Sequence, residues 1–464
     1  MIPVQCFRGK KIVLFGLGDS GLATARALVA GGAAVILWDD NTQAVTKARE
    51  QGFDTKNLHD IAWKETAALI LSPGVPLTHP EPHWSVKLAA AHNVEVIGDI
   101  ELFVRERNAF LQRKGLTAKD CPFIAITGTN GKSTTTALIT YLLSVAGYDV
   151  QMGGNIGTAI LLLEPPADRR FYVIECSSYQ IDLTPSLVPT IGILLNLTPD
   201  HIDRHGNFKH YAAIKERLVE AAQTAIISVD DIPCRKIYEC LKTKGKYILP
   251  IAVGHSLQDG YFAEGKKMLV CGHDGSIEQL ASIKGASLFR GIHNMQNVLA
   301  ALACCHILKI AFQDTDTVLA SFQGLSHRME EVRRKEHILF INDSKATNAE
   351  AAASALSVFD HIYWIAGGMP KEGGIHILRE FFPKIRKAYL IGEAAAEFIH
   401  TIGKDVPVFL ADTLANALRQ AVYDATQDKV GDVVVLLSPA CASFDQFANY
   451  RERGDMFRKF VQEL

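Results

Sequence analysis

A glycine-rich turn between an apolar strand and a helix is the feature that most limits what this chain can fold into. It lies in Phe123-Ile-Ala-Ile-Thr-Gly-Thr-Asn-Gly-Lys-Ser-Thr-Thr-Thr136, where four apolar residues precede Gly128 and Gly131 and a helical pattern begins at Lys132. Such a turn directs several backbone N–H groups and the positive end of a helix dipole at one spot, and both favour a phosphate. The segment therefore predicts a phosphate-binding turn in an α/β domain.

The turn departs from the strict Walker A pattern G-x-x-x-x-G-K-[ST], because Ile126 stands where the first glycine of that pattern belongs. The Gly-Lys-Ser core is kept. Lys132 can reach the β- and γ-phosphates of ATP, and the Ser133 hydroxyl can hold Mg²⁺. A polar loop with a chance Gly-Lys-Ser is the alternative, and the strand–turn–helix context favours an ATP site.

Composition narrows the class of protein. A chain of 464 residues predicts two to four domains, and 48% hydrophobic with 21% charged residues is typical of globular protein. The net charge of −2 gives no reason to expect a nucleic acid or an anionic membrane as partner, and no apolar run approaches the roughly 18 residues of a membrane helix. Nine cysteines, mostly isolated in apolar segments, favour reduced thiols. We expect a cytoplasmic protein without membrane insertion.

A second glycine-rich turn lies near the N-terminus. The strand-like Lys11–Phe15 leads into Gly16-Leu-Gly18-Asp-Ser-Gly21, and a later strand, Ala34–Trp38, ends in Asp39 and Asp40. This G-x-G-x-x-G pattern with a following acid is typical of dinucleotide-binding folds. Its ligand could be NAD, FAD or a nucleotide sugar, and a tight turn without a ligand stays open as well.

Polar residues follow two further apolar strands of the central region. The strand at 171–174 is followed by Glu175, and the strand at 190–195 leads to Asn196-Leu-Thr-Pro-Asp200-His201-Ile-Asp203-Arg-His205. Ligands of open α/β sheets lie beyond the carboxyl ends of strands, which favours metal or phosphate binding there. The alternative for Glu175 is an acid at the start of a helix.

Three other side chains of this region are candidates of a weaker kind. Lys215 lies on a helical pattern at 211–222, where a lysine is by default solvated. Asn294 and Asn297 are three residues apart, on one face of a first helical turn, where amides could bind adenine or a phosphate. Helix capping by Asn294 is the alternative.

The last third of the chain alternates strands and helices and predicts another doubly wound α/β domain. Its strands are followed by three polar segments, Asn342-Asp-Ser-Lys-Ala-Thr-Asn348, Gly367-Gly-Met-Pro-Lys371 and Ser438-Pro-Ala-Cys-Ala-Ser443. Their clustering predicts a site for a small polar ligand. We place the domain boundaries at 1–98, 99–324 and 325–464.

Taken in order, these motifs resemble the ATP-dependent Mur ligases of peptidoglycan synthesis. The segments that carry the resemblance are Gly16–Gly21, Ser72-Pro-Gly74, Gly98-Asp-Ile-Glu-Leu-Phe103, Thr127–Ser133, Gly154-Asn-Ile-Gly157, Glu175-Cys-Ser-Ser178, Asp200-His201, His293-Asn294-x-x-Asn297, His327-Arg328, Asn342–Asn348 and Leu437-Ser-Pro-Ala-Cys-Ala-Ser443-Phe-Asp-Gln-Phe447. The departure of the P-loop from the strict Walker A pattern is itself typical of this family. The last two segments are most similar to the D-glutamate-adding branch, and the D-N-P-R signature of the diaminopimelate- or lysine-adding branch is absent.

The resemblance implies three α/β domains: an N-terminal Rossmann-like domain for a nucleotide sugar, a central P-loop domain for ATP and a C-terminal Rossmann-like domain. It also implies a reaction, and we expect a monomer. The γ-phosphoryl group of ATP would pass to the carboxylate of UDP-N-acetylmuramoyl-L-alanine, and the amine of D-glutamate would displace phosphate from the acyl phosphate.

The resemblance assigns catalytic roles to Lys132, Glu175, His201 and Lys215. Ser133 and Glu175 would hold one Mg²⁺, and His201 and Lys215 a second. Because an ammonium cannot ligate a metal, Lys215 would carry a carbamate formed from CO₂, which predicts a partly buried side chain. The residues implied for ATP are Gly128, Thr129, Asn130, Gly131, Lys132, Ser133, Thr134, Asn294, Asn297, Arg328, Asp343 and Lys345.

Two more sets follow from the resemblance. The UDP-sugar would be held by Gly18, Asp19, Ser20, Asp39, Asp40, Gly74, Asn155 and His201. D-Glutamate would be held by Lys345, Thr347, Lys371, Ser443, Phe444 and Tyr450, with the two lysines matching its two carboxylates. Asp19-Ser20 and Asp40 depart from the family pattern, as does Tyr450, where a phenylalanine is expected.

Three other functions compete with this one. A folylpolyglutamate synthase would begin at the P-loop, so the N-terminal glycine pattern speaks against it. An NAD-dependent oxidoreductase would rest on Gly16-x-Gly18-x-x-Gly21 and leave the P-loop without a role. A non-catalytic UDP-sugar-binding regulator would tolerate loss of Lys132.

Overall fold

The protein is described by a computed structural model that covers residues 1–283, 292–370, 373–428 and 431–464. These residues pack as two compact units. The first contains residues 1–283 and 292–320 and holds two β-sheets; the second, Ser321–Leu464, holds one. The three sheets with their helices confirm the predicted α/β class. No helix within the described ranges is long and apolar enough to cross a membrane.

The N-terminal sheet is parallel, and its strand order is β3-β2-β1-β4-β5. Its elements are β1 (Lys11–Phe15), α1 (Asp19–Ala30), β2 (Ala34–Trp38), α2 (Thr42–Glu50), β3 (Asp54–Thr55), β4 (Thr66–Leu71), α3 (Trp84–Ala91) and β5 (Glu95–Ile97). The first crossover, from β1 through α1 to β2, begins at the predicted glycine turn.

Close packing explains two glycines of that turn. A Cβ on Gly16, whose φ is +101°, would lie 2.3 Å from the Ser72 Cβ, and a Cβ on Gly21 would lie 1.9 Å from the Gly16 carbonyl oxygen. Gly18 has no atom within 4 Å of a built Cβ. The middle glycine therefore faces open space, where a ligand can approach the backbone.

The central sheet follows the helix α4 (Asp99–Lys114) and runs in the order β14-β13-β12-β11-β10-β9-β6-β8-β7. It is parallel except at β12–β13 and β13–β14. Its elements are β6 (Phe123–Thr127), α5 (Lys132–Val145), β7 (Asp149–Gly154), β8 (Arg170–Glu175), α6 (Ser178–Asp182), β9 (Ile191–Leu194), α7 (Ile202–His205), α8 (Phe208–Ala221), β10 (Thr224–Ser228), α9 (Ile232–Thr243), β11 (Ile248–Val253), β12 (Gly260–Glu264), β13 (Lys267–Cys271), β14 (Ile277–Ser282), α10 (Ile292–Ile307) and α11 (Thr315–Ala320).

The sequence from about 225 to 288 predicts a mixture of short strands and loops, and this prediction misses the helix α9. This helix begins with an Asp231 cap, whose carboxylate accepts from the Cys234 N–H at 2.8 Å, and it has a proline in its first turn. Both are ordinary signals for the start of a helix.

The two sheets of the first unit share one hydrophobic core. Leu14 and Val35 of the N-terminal sheet belong to the same buried cluster as Phe123 and Tyr172 of the central sheet. Backbone hydrogen bonds also join the two parts, as from the Gly98 N–H to the carbonyl of residue 183 at 2.9 Å. The first unit is thus continuous across the boundary predicted at residue 98.

The second unit has the strand order β15-β16-β20-β17-β18-β19, with β15 antiparallel to β16 and the others parallel. Its elements are β15 (Glu330–Lys335), β16 (Ile338–Asn342), α12 (Ala349–Val358), β17 (Ile362–Gly367), a 3₁₀ segment (His376–Lys384), β18 (Ile385–Ile391), α13 (Ala395–Ile402), β19 (Val408–Asp412), α14 (Leu414–Gln427), β20 (Val433–Leu437) and α15 (Tyr450–Gln462). Because β16, β20 and β17 are neighbours, the segments that follow them meet at one edge of the sheet.

Candidate active site

The P-loop between β6 and α5 is shaped by close contacts with the rest of the central domain. Gly131 has a φ of +82°, and a Cβ on it would lie 2.2 Å from the Asn297 Oδ1. Gly128 has a φ of +148°, and its Cβ would lie 3.1 Å from the Leu195 Cβ. The Asn297 side chain, 2% exposed, accepts from the Thr135 hydroxyl at 3.2 Å. Glycine is therefore required where the loop meets α10.

Two lysines meet on the inner side of this loop. The Lys132 ammonium donates to the Gly128 and Thr129 carbonyls at 2.9 and 2.7 Å. The Lys215 Nζ donates to the same Gly128 carbonyl at 2.9 Å and to the Thr127 hydroxyl at 3.1 Å. Lys215 is 2% exposed, so the default of a solvated lysine is wrong. Burial first, and then the charge of Lys132, hold the pKa of Lys215 well below its usual value.

Glu175 ends β8 directly beside the start of α5. Its side chain is buried, its Oε2 accepts from the Ser133 hydroxyl at 2.5 Å, and its Oε1 accepts from the Asn155 amide at 2.8 Å. The next helix is capped instead by Ser177, whose hydroxyl accepts from the Gln180 N–H. The Ser177 hydroxyl, and not the Glu175 carboxylate, caps that helix.

The acid- and histidine-rich segment after β9 divides into an outer and an inner part. His201 is half exposed, has a φ of +53°, and lies 3.4 Å from the Asp200 carboxylate. His205 points inward, with its Nε2 2.9 Å from the Ser178 hydroxyl, and burial lowers its pKa to about 4. Among the described residues no group of three or more His, Cys, Asp or Glu side chains is arranged to hold a metal. His205 is a neutral core histidine.

An amide network that we did not predict supports the outer side of the P-loop. The Asn196 Oδ1 accepts from the Asn130 N–H at 2.8 Å, and its amide donates to the Gln296 Oε1 at 2.9 Å. The predicted Asn297 donates to Asn294 at 3.4 Å on the same helix. Asn196 directly follows a buried strand, a position that signals a ligand or loop contact.

Two threonines complete the P-loop set. The Thr129 hydroxyl lies 3.0 Å from the Tyr211 hydroxyl and donates to the Thr198 carbonyl at 3.1 Å. Thr134 is half-buried in the first turn of α5. The structure thus gathers the P-loop residues, Ser133, Glu175, Asn155 and Lys215 at one edge of the central sheet.

Two aspartates that directly follow β2, beside the N-terminal glycine turn, have different surroundings. The Asp39 carboxylate accepts from the Leu17 and Asn41 N–H groups at 2.6 and 2.8 Å, which ties the ends of β1 and β2 together. The Asp40 carboxylate contacts the His83 Nε2 at 3.0 Å and accepts from the Trp84 indole at 3.1 Å. Asp39 is an internal brace, whereas Asp40 is half exposed.

The remaining residues predicted for the nucleotide sugar lie along the same side. Asp19 and Ser20 form the first turn of α1, directly after Gly18. The Gly74 carbonyl accepts from the Arg204 guanidinium at 2.9 Å, a link between the segment that follows β4 and the segment of His201.

In the second unit, Asp343 follows β16 and is buried. Its carboxylate accepts from the Ser438 hydroxyl at 2.9 Å and from the Met329 N–H at 3.2 Å. Burial raises the pKa of Asp343 to about 7. Arg328 is half-buried, and its Nε finds no hydrogen-bond partner in the described part of the chain.

The residues predicted for D-glutamate follow β16 and β20. The Lys345 ammonium lies 5.6 Å from the centre of the Tyr450 ring, and the Thr347 N–H donates to the Lys345 carbonyl. Ser443 is buried, whereas Phe444 is 65% exposed. Lys371, the second predicted cation, lies outside the described residues.

Arg453 was missed by the sequence reasoning. It is 1% exposed, and its guanidinium donates to the Ser344 hydroxyl and carbonyl and to the Cys441 and Ala442 carbonyls at 2.9–3.3 Å. Its spacing to Phe457 and Val461 puts it on the buried stripe of α15. An arginine in an apolar helical stripe is the signal that could have found it.

Known proteins match this chain over its whole length. Residues 126–305 match the family described as Mur ligase middle domain, and residues 327–441 match the one described as Mur ligase, glutamate ligase domain. The chain is 57% identical to the UDP-N-acetylmuramoylalanine--D-glutamate ligase of Brucella abortus (strain 2308), over 100% of this chain and 98% of the relative. It is also 57% identical to that of Mesorhizobium japonicum, with the same coverage.

Solved structures share the fold at low identity. MurF from Acinetobacter baumannii superimposes with a TM-score of 0.57 and 18% identity, over 100% of this chain and 93% of that one. MurC from Thermotoga maritima gives a TM-score of 0.56 and 16% identity, over 98% and 99%. A MurF ligase from Thermotoga maritima solved in complex with ADP gives 0.54 and 18%, over 100% and 97%.

Proposed function

This chain belongs to the Mur ligase family, and from that premise we propose that it joins D-glutamate to UDP-N-acetylmuramoyl-L-alanine at the expense of ATP. The relatives that carry this name cover the full chain at more than half identity. The observation that carries the chemistry is the grouping of Lys132, Ser133 and Glu175 at the start of α5. This grouping combines a cation, a hydroxyl and a carboxylate beside a phosphate-binding turn.

The donor set at this point fits Mg²⁺. Hydroxyl and carboxylate oxygens are hard ligands of the kind that Mg²⁺ prefers, and Ser133 and Glu175 present one of each. Bound Mg²⁺ would neutralise charge on the transferring phosphoryl group. A phosphate and a carboxylate about 4 Å apart repel by roughly 4 kcal/mol for each unit charge pair at an effective dielectric near 20. Lys132 would offset part of this repulsion.

The second metal position would involve His201 and a carbamate on Lys215. Formation of a carbamate needs a neutral amine, and the lowered pKa of Lys215 raises the neutral fraction of its amine. The modification would replace the ammonium of Lys215 by an anionic carbamate. Lys132 would then attract this group instead of repelling it. Burial also keeps the group away from bulk water, which supports the proposal.

The substrates are assigned to residues of the two units separately. Gly18, Asp19, Ser20, Asp40 and Gly74 would hold the UDP group, and Asp39 would brace the turn that presents it. Asn155, which donates to Glu175, would lie near the reacting end of the sugar. D-Glutamate would bind to the described residues Lys345, Thr347, Ser443, Phe444 and Tyr450, together with Lys371.

The adenosine and phosphates of ATP would be held by the P-loop residues 128–134, by Asn294 and Asn297, and by Arg328, Asp343 and Lys345. The alanyl carboxylate oxygen would attack the γ-phosphorus, and ADP would leave. The D-glutamate amine would then attack the acyl carbon, lose a proton and expel phosphate as the amide bond forms.

Domain boundaries at 98/99 and 324/325 remain part of the proposal, and the matches at 126–305 and 327–441 support the second boundary. We also propose a monomer in the cytoplasm, where ATP and UDP-activated sugars are available. Light scattering of the purified protein tests the monomer.

The test is phosphate release from ATP with UDP-N-acetylmuramoyl-L-alanine and one of D-glutamate, L-glutamate, meso-diaminopimelate or L-lysine. We expect release with D-glutamate, loss of release in Lys132→Ala and retention in the exposed-lysine control Lys236→Ala. Release with a different amino acid would keep the reaction and refute the assignment of the C-terminal residues. No release with any of the four would refute the proposed function.

A further inference from the structure

Arg453 on α15 is a buried cation whose hydrogen bonds all go to uncharged oxygens. Its acceptors are the Ser344 hydroxyl and three backbone carbonyls, and no carboxylate of the described residues forms an ion pair with it. Burial lowers its pKa to about 10, so the guanidinium keeps its charge at neutral pH. Asp445 interacts with it electrostatically from beyond ion-pair distance. Burying a cation with no carboxylate in contact is costly, so its presence here requires an explanation.

Its position links three of the segments that leave the sheet of the second unit. Ser344 follows β16, Cys441 and Ala442 follow β20, and all three bond to the guanidinium. The Ala442 carbonyl also accepts from the N–H of Met369, which follows β17, at 2.9 Å. One side chain thus fixes the relative position of two segments directly and of the third through a shared carbonyl.

The residues next to these contacts are those proposed for D-glutamate. Lys345 follows Ser344, Ser443 follows Ala442, and the Tyr450 carbonyl accepts from the Ser344 hydroxyl at 2.8 Å. We propose that Arg453 is the positioning residue of the amino-acid site. It fixes the three segments of that site and supplies a positive charge that no carboxylate in contact neutralises, which favours a dicarboxylate amino acid. This inference rests on the proposed function.

The physical reason lies in the charge of the ligand. D-Glutamate carries two carboxylates and one ammonium, so its binding requires an excess of positive charge. A guanidinium that hydrogen bonds only to neutral acceptors, with Asp445 beyond ion-pair distance, keeps a positive contribution to the local potential. Because its side chain is 1% exposed and four hydrogen bonds hold it to these segments, it would act through them rather than touch the amino acid.

The test compares Arg453→Met with Arg453→Lys and measures KM for each substrate and kcat. We expect Arg453→Met to raise KM for D-glutamate about tenfold or more, as for loss of an interaction with a charged group, and to leave KM for the UDP-sugar within about twofold. KM for ATP should rise by less than that for D-glutamate, because Asp343 and Lys345, on either side of Ser344, are also assigned to ATP. Arg453→Lys keeps the charge and loses the planar fork, and should bring KM for D-glutamate to within about threefold of wild type with a lower kcat. The control is Lys459→Met, which removes an exposed positive charge from the same helix.

Each other outcome has a definite meaning. Equal rises in all three KM values, or equal effects of the Met and Lys variants, would overturn the inference in favour of a purely structural arginine. The inference would also be overturned if Arg453→Met and Arg453→Gln failed to fold and Arg453→Lys folded with a raised KM for D-glutamate. An unchanged KM in Arg453→Met, with D-glutamate-dependent release by the wild type, refutes this inference only. No such release by the wild type refutes the proposed function as well.

Discussion

Replacing Gly131 by alanine tests the shape of the P-loop, because the structure separates two costs of the added methyl group. The first is backbone strain. An L-residue in the left-handed region loses about 1–2 kcal/mol, and Gly131 has a φ of +82°. The second is a collision, since the new Cβ would lie 2.2 Å from the Asn297 Oδ1.

The chain offers a matched control at the other end of the same helix. Gly147 has a φ of +84°, and a Cβ built there meets no atom within 4 Å. Gly147→Ala should therefore lose the backbone cost of about 1–2 kcal/mol and nothing more. Gly131→Ala should lose in addition the Thr135–Asn297 hydrogen bond, about 0.5–1.5 kcal/mol, and a strained Asn297 rotamer of about 0.5–1.5 kcal/mol.

The free energy of unfolding from urea titration and the Kd for ATP measured by calorimetry in the presence of Mg²⁺ check this. We expect Gly131→Ala to be destabilised by roughly 2–5 kcal/mol and to bind ATP at least about tenfold more weakly, because the loop must shift. Gly147→Ala should keep the wild-type Kd. A wild-type Kd in Gly131→Ala, or equal losses of affinity in both variants, would refute the argument that Asn297 dictates the loop.

Three further predictions concern ionisable groups of the two units. Mass spectrometry of the enzyme kept with bicarbonate and Mg²⁺ should find one added CO₂ on Lys215 and none on Lys132; an unmodified Lys215 under these conditions contradicts the carbamate. Glu175→Gln should raise the Mg²⁺ concentration needed for half-maximal phosphate release, with the exposed Glu239→Gln as control, and an unchanged requirement would exclude Glu175 as a ligand. The pKa of Asp343 is about 7 in the folded protein, against an ordinary value of 3.8, so between these pH values the folded protein binds more protons than the unfolded chain. The free energy of unfolding should therefore fall as the pH rises through this range, by an amount on the order of 4 kcal/mol. Asp343→Asn should remove most of this decline between about pH 4 and 7, as measured by urea unfolding; an unchanged slope would show that other groups cause it.

Sequence alone could predict the parts of the site that are determined by neighbouring residues. The P-loop and Glu175 follow apolar strands directly, so strand, turn and ligand position are written in neighbouring residues. The same holds for the alternation of strands and helices in the second unit, although the antiparallel strand β15 was not predicted.

The parts that it could not predict depend on distant segments. Lys215 sits between Ile214 and Glu216 on a helix, and only the packing of α8 against β6 and β9 shows that its side chain is buried beneath the P-loop. Arg453 lies about a hundred residues from Ser344, and its spacing on α15 indicates burial without showing what it contacts. The contacts of both residues could be identified only once the fold was known.

The common core of the two sheets in the first unit has a consequence for the modularity of this chain. Residues 1–98 read as a separate nucleotide-binding module, yet their apolar side chains pack into the same interior as those of the central sheet. Excision of residues 1–98 would expose hydrophobic surface on the excised segment and on the central domain. A chimaera with a foreign N-terminal module would have to rebuild the contact between these two surfaces. The first unit should accordingly melt in one cooperative calorimetric step, and recombination between relatives should succeed more readily near residue 321 than near residue 98.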